Sequence, residues 1–138
     1  WWDVYIDKND LFYHYKPLAD TLSRFRFSEK TAPFGSEKIY GDRVRVMGLK
    51  DQENAIIWVQ DKKANWGNMN LRSFPGKTLS DIKIRIGTFR NGPCSVVWIN
   101  TFSGKEIHSE QAETENGYVT LTVPDFFRDI AAVIKAAE

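Results

Sequence analysis

The spacing of apolar residues changes partway along this chain, and the change predicts two kinds of structure. In the N-terminal segment they fall at Leu11, Phe12, Tyr15, Leu18, Leu22 and Phe25. That stripe follows one face of a 3.6-residue period and predicts a helix. Asn9 or Asp10 is a suitable N-cap, because a short side-chain oxygen there accepts from an orphan backbone N–H. Pro17 interrupts the pattern by removing a donor, so a helix of about three turns should bend or restart near Lys16.

Residues 28–37 are polar, include Pro33, Gly35 and Ser36, and read as a linker. Beyond them the period becomes two. Val44 and Val46 alternate with Arg43 and Arg45, and Ile82, Ile84 and Ile86 alternate with Lys83 and Arg85, the pattern of half-buried strands. Ala55, Ile57 and Val59 alternate with Ile56, Trp58 and Gln60. Ser95, Val97 and Ile99 alternate with Val96, Trp98 and Asn100. Val119, Leu121 and Val123 alternate with Tyr118, Thr120 and Thr122, and residues 129–135 read as a final strand rather than a short helix. Turn signals separate the runs, among them Pro75-Gly76, Asn91-Gly92-Pro93, Asn116-Gly117 and a hairpin at Ser103-Gly104. About seven or eight short strands so spaced predict a mainly β fold, an antiparallel β-sandwich of immunoglobulin or fibronectin type preceded by one helix.

Composition narrows the function classes. The 138 residues suffice for one domain, and a net charge of +1 gives no electrostatic reason to expect nucleic acid or an anionic membrane as partner. No apolar run reaches the roughly 18 residues of a membrane span. Cys94 is alone, so no internal disulfide forms; a buried small hydrophobe is its expected role. The chain opens on Trp1-Trp2-Asp3 without Met, which reads as part of a longer polypeptide.

Little here suggests independent catalysis. His14 and His108 fall in different predicted elements, so neither a zinc site nor any other metal or cofactor is expected. Asp7-Lys8-Asn9-Asp10 lacks the glycine and distal glutamate of a calcium loop and reads as a helix-capping turn. Glu106, Glu110, Glu113 and Glu115 read as a solvated hairpin edge. What stands out is aromatic content, 14% of the chain with five Trp. Sugars present apolar C–H faces, so a sugar surface stacks them on exposed aromatics beside amides. Candidate stacking residues are Trp58, Trp66 and Trp98, with Gln60, Asn65, Asn68 and Asn100 as candidate polar contacts. The competing expectation is that Trp58 and Trp98 pack against the helix stripe of Phe12, Tyr15 and Phe25.

Two further stretches carry a resemblance. Trp1-Trp2-Asp3-Val4-Tyr5-Ile6 and the following Asn9-Asp10-Leu11-Phe12-Tyr13-His14-Tyr15-Lys16-Pro17-Leu18-Ala19 resemble the last strand and last helix of a (β/α)8-barrel glycoside hydrolase. Gly48-Leu49, residues 55–61, Trp66, residues 98–105 and residues 123–131 resemble the small sandwich that follows such barrels. The resemblance implies a barrel remnant at residues 1–27, a linker at 28–37 and an accessory sandwich at 38–138. It also implies that Trp1 or Trp2 stands where a barrel enzyme supports a sugar ring, at the face where barrel active sites form. The two carboxylates of glycoside hydrolysis would lie before Trp1, leaving no catalytic residue in this chain. The implied function is a non-catalytic accessory domain of a secreted, extracellular polysaccharide-degrading enzyme. Its partner is the catalytic barrel of the same polypeptide; the alternative is a carbohydrate-binding module whose partner is polysaccharide.

Overall fold

The computed structural model describes residues 2–35, 39–40, 43–65, 67–68, 76–87 and 89–137, with only the backbone of Trp2, Ile39 and Tyr40. The chain begins with helix α1 (Trp2–Lys8), a 3-10 turn (Phe12–Tyr15) and helix α2 (Lys16–Ser23). Among the described residues, nine strands follow: β1 (Ala32–Gly35), β2 (Ile39–Tyr40), β3 (Val44–Lys50), β4 (Asn54–Asp61), β5 (Ile82–Gly87), β6 (Gly92–Ile99), β7 (Glu106–Glu115), β8 (Tyr118–Val123) and β9 (Asp129–Ala136).

All neighbouring strands are antiparallel, in the order β1-β3-β4-β9-β6-β7-β8-β5-β2. The ladder is nearly broken at one place: β7 meets β8 only through Thr114↔Val119 and Glu115↔Tyr118, beside the Asn116-Gly117 turn. There the sheet folds back on itself. Val44 and Val46, Ala55, Ile57 and Val59, Ile130, Ala132 and Ile134, and Cys94, Val96 and Trp98 come from one side of the fold; Ile84, Ile86, Val119, Leu121 and Val123 come from the other. These side chains share one core, which makes the architecture an antiparallel β-sandwich. The period-two runs at β3, β4, β5, β8 and β9 are strands, as their alternation predicts.

The outer face of the first layer carries a second apolar cluster: Phe25, Ile56, Ile99, Ala131 and Val133, with Leu22, Leu49 and Val97 packed against it. Helix α2 therefore covers part of the sandwich. Of the expected stripe, Leu22 and Phe25 are the residues that reach it. The helix restarts at Lys16 with Pro17 in its first turn, where its missing N–H costs nothing. Pro17, Thr21 and Phe25 are buried, whereas Phe12, Tyr15 and Leu18 are exposed. Thr21 tolerates burial because its Oγ1 donates to the Pro17 carbonyl at 2.7 Å.

Other elements differ from expectation for local reasons. The stretch Trp1 to Ile6, expected to end a strand, is helical from Trp2 onward. Asn9 caps the end of that helix, its Nδ2 donating to the Tyr5 carbonyl at 2.8 Å, rather than the start of the next, which has no side-chain cap. Within the segment expected as linker, residues 32–35 form β1 on the edge of β3; residues 36–37 lie outside the described residues. The acidic segment 106–115 is a full strand paired along β6.

Candidate functional site

The outer face of β4 and β9 changes character along its length. Ile56 stands opposite Val133 under α2; Trp58 stands opposite Ala131; Gln60 stands opposite Asp129. Beyond the half-buried Trp58, the face is open and polar. It continues into a groove of about 780 Å³ whose lining includes Gln60, Asn100, Phe102, Phe127, Arg128 and Asp129.

Each wall is fixed by local structure. Asn100 ends β6 and builds the β6–β7 turn: its Oδ1 accepts from the backbone N–H of Phe102 (3.0 Å) and of Ser103 (2.9 Å). The turn holds Phe102 out in solvent, 79% exposed, with one edge toward His14 at 6.3 Å between ring centroids. Gly104 in the same turn has φ +70°, and a Cβ on it would approach the Pro17 Cα to 3.0 Å, so the hairpin tip rests on the start of α2. The ladder slips between Trp98 and Ile99, leaving Ile107 as the extra residue on β7, and Ile107 also lines the groove. Such bulges re-aim side chains at sheet margins.

The opposite wall is the approach to β9. Phe126 is buried, joined to Leu79 by a backbone bridge. Arg128 then takes a left-handed φ of 70°, held by the Asp61 N–H donating to its carbonyl at 2.8 Å. Phe127 lies against Gly76, where a Cβ would stand 2.1 Å from the ring, and the Arg128 guanidinium sits 4.9 Å from the ring centre. Thr101 Oγ1 donates to Asp129 Oδ1, tying the turn to β9. Gln60 Nε2 donates to the Ala64 carbonyl at 3.1 Å, which anchors the loop that follows β4.

Unspent hydrogen-bonding capacity remains. Among the described residues, the Gln60 carboxamide oxygen, the Asn100 amide nitrogen, the second Asp129 oxygen and the Asp125 carboxylate have no polar partner. Donors and acceptors around exposed aromatic rings suit a polyhydroxylated ligand. No group of three metal-ligating side chains occurs among the described residues, and no described helix is long and apolar enough to cross a membrane.

The candidates named from sequence separate into those the groove gathers and those it does not. Gln60 and Asn100 line it. Trp58 adjoins it on the face of β4 shared with Gln60. Asn65 and Asn68 are committed to their own loop: Asn65 Nδ2 donates to the Lys62 carbonyl (3.1 Å), Asn65 Oδ1 accepts from the Asn68 N–H (3.0 Å), and Asn68 Nδ2 donates to the Lys63 carbonyl (2.9 Å). Trp98 is corrected outright. It faces the core beside Val96, is fully buried, and donates its Nε1 hydrogen to Glu110 Oε1 at 2.9 Å, so it offers no face to a sugar. Nor does it meet the helix, since its strand turns Val97 and Ile99 that way. Trp1 and Trp66 lie outside the described residues, and so does the side chain of Trp2. Phe102, Phe127, Asp125 and Asp129 were not singled out by sequence; the one signal was their position in turns flanking strands, where exposed side chains collect.

Cys94 is buried in the core. Burial, reinforced by the charges of Glu113 and Glu110, pushes its thiol above the ordinary range, which leaves it protonated and unreactive.

No protein-family model matches the chain, and no curated protein matches it. Among solved structures, a chain described as a glycoside hydrolase is similar to it with a TM-score of 0.54 at 11% sequence identity, over 88% of this chain and 24% of the other. This chain thus spans about a quarter of the length of that protein. At such identity the likeness is one of fold: the chain is built like a portion of a glycoside hydrolase.

Proposed function

We propose that the chain is a non-catalytic accessory domain of a secreted polysaccharide-degrading glycoside hydrolase, packed against the catalytic barrel of the same polypeptide. The observation that carries this reading is the outward face of the N-terminal helices. Val4, Phe12, Tyr13, Tyr15 and Leu18 each keep more than half of their surface in solvent, close together in sequence. Clustered exposed apolar side chains mark surfaces that another body covers. The end of the same segment is docked on the sandwich through Leu22 and Phe25, so the exposed side chains before it are placed to join the sandwich to a neighbour. The fold likeness to one part of a larger glycoside hydrolase supports the same neighbour.

The test compares the double substitution Phe12→Ser, Leu18→Ser in this chain alone and in its natural full-length polypeptide. In isolation both side chains are solvated, and the unfolding temperature should hardly move. In the full-length protein it should fall by roughly 2–4 °C. An equal, negligible effect in both would overturn the reading. A second reading, a carbohydrate-binding module, is favoured by the groove between Phe102 and Phe127 and rests on that site alone.

A further inference from the structure

We infer that the groove on the outer face of β4 and β9 is a saccharide-binding site selective for neutral chains over uronate-bearing ones. The inference rests on the carbohydrate-binding reading and assigns that reading a place and a specificity. The volume, about 780 Å³, falls within the range of small-ligand sites, and is suited to one or two sugar rings. Phe102 is the stacking platform: among the described residues it is the most exposed of the large apolar ones, and the Asn100-centred turn holds its backbone in place. Phe127 is a secondary wall, since Gly76 and Arg128 already occupy its surroundings.

The polar groups fit hydroxyls in both directions. The oxygens of Gln60, Asp129 and Asp125 accept from sugar O–H groups, and the Asn100 amide nitrogen donates to sugar oxygens. Charge then sets the preference. Two carboxylates, Asp125 and Asp129, line the groove with one guanidinium, Arg128, which is engaged with the Phe127 ring. A uronate would bring a third negative charge into this groove, and like charges brought close repel.

The experiment titrates the purified chain with cello-, manno- and xylo-hexaose and, as the acidic probe, oligogalacturonate, following backbone amide shifts by NMR. Parallel titrations use Phe102→Ala and Gln60→Ala, both with folding checked by the dispersion of the same spectra. One neutral oligosaccharide should shift amides of residues 60, 100–102 and 125–130, and Phe102→Ala should weaken it about tenfold. Oligogalacturonate should shift none of them. Binding of a neutral sugar that both substitutions leave intact would overturn the assignment of the groove while sparing the carbohydrate-binding reading. Tighter binding of oligogalacturonate would overturn the selectivity. No binding of any probe at millimolar sugar would overturn the site and the carbohydrate-binding reading together, and leave the accessory-domain reading to its own test.

Discussion

Trp98 brings one polar atom into an apolar core, and Glu110 on the neighbouring strand accepts its N–H at 2.9 Å. Leaving that N–H without an acceptor costs more than the bond itself contributes. Glu110→Ala is therefore expected to destabilise the chain by about 1–3 kcal/mol, and Glu110→Gln, which keeps an acceptor oxygen, by much less; urea unfolding of the two variants checks this. A second carboxylate works at the β3–β4 turn. Asp51 accepts from the backbone N–H groups of Glu53 and Asn54 and from the hydroxyls of Ser28 and Thr31. Its partial burial acts to raise the carboxyl's pKa, but these four donors together outweigh it and hold the group below its ordinary 3.8. A lowered folded-state value means a contribution fully present above the ordinary one and lost as pH falls through the folded one. The stability gap between wild type and Asp51→Asn should accordingly narrow below about pH 4, measured by thermal unfolding across a pH series. Neither role was legible beforehand. Trp98 sits on β6, where Val96 faces one side and Val97 and Ile99 the other; with both faces apolar, alternation could not say which side the indole would take.

At the scale of elements, legibility followed one-sided burial. Ile82–Gly87 and Tyr118–Val123 have one buried face and one wet one, so their sequences alternate and read as strands. Strand β7 is exposed over most of its length; its backbone pairs with β6 at all but Ile107 and Glu115, yet its side chains give no alternating apolar signal, and it looked like an acidic edge. The helical stripe misled for the opposite reason. A continuous helix would have put Phe12, Tyr15, Leu18 and Leu22 on one face, but after the restart at Lys16 only the end of the stripe, Leu22 and Phe25, packs on the sandwich, while Pro17 and Thr21 are buried in place of Tyr15 and Leu18. Phe25 is the anchor of that docking, packed with Ile56, Ile99, Ala131 and Val133. Phe25→Ala should cost about 3–5 kcal/mol if the gap stays open. Much of the loss should be local: limited proteolysis should release the segment before residue 28 while the sandwich remains resistant. The groove was half legible, Gln60 and Asn100 by their amides beside aromatic strands, but Phe102 and Phe127 come together only through a turn, a bulge and a left-handed Arg128.

For the whole molecule, the position of β9 matters most. It comes last of the strands in chain order, yet it lies between β4 and β6, pairing with β4 over residues 129–135 and with β6 over residues 131–136. Five of its eight residues, Ile130 to Ile134, are buried on its two faces. During synthesis, β4 and β6 leave the ribosome before the strand that separates them exists. Each waits with an open edge, rich in Val and Ile, of the kind that pairs with other chains when left uncovered. A stop placed before Asp129 should therefore yield inclusion bodies rather than a smaller folded product, whereas removing β1, a four-residue edge containing Pro33, should leave soluble protein. Translation has to pass residue 136 before the layer that holds β4 and β6 is safe from aggregation.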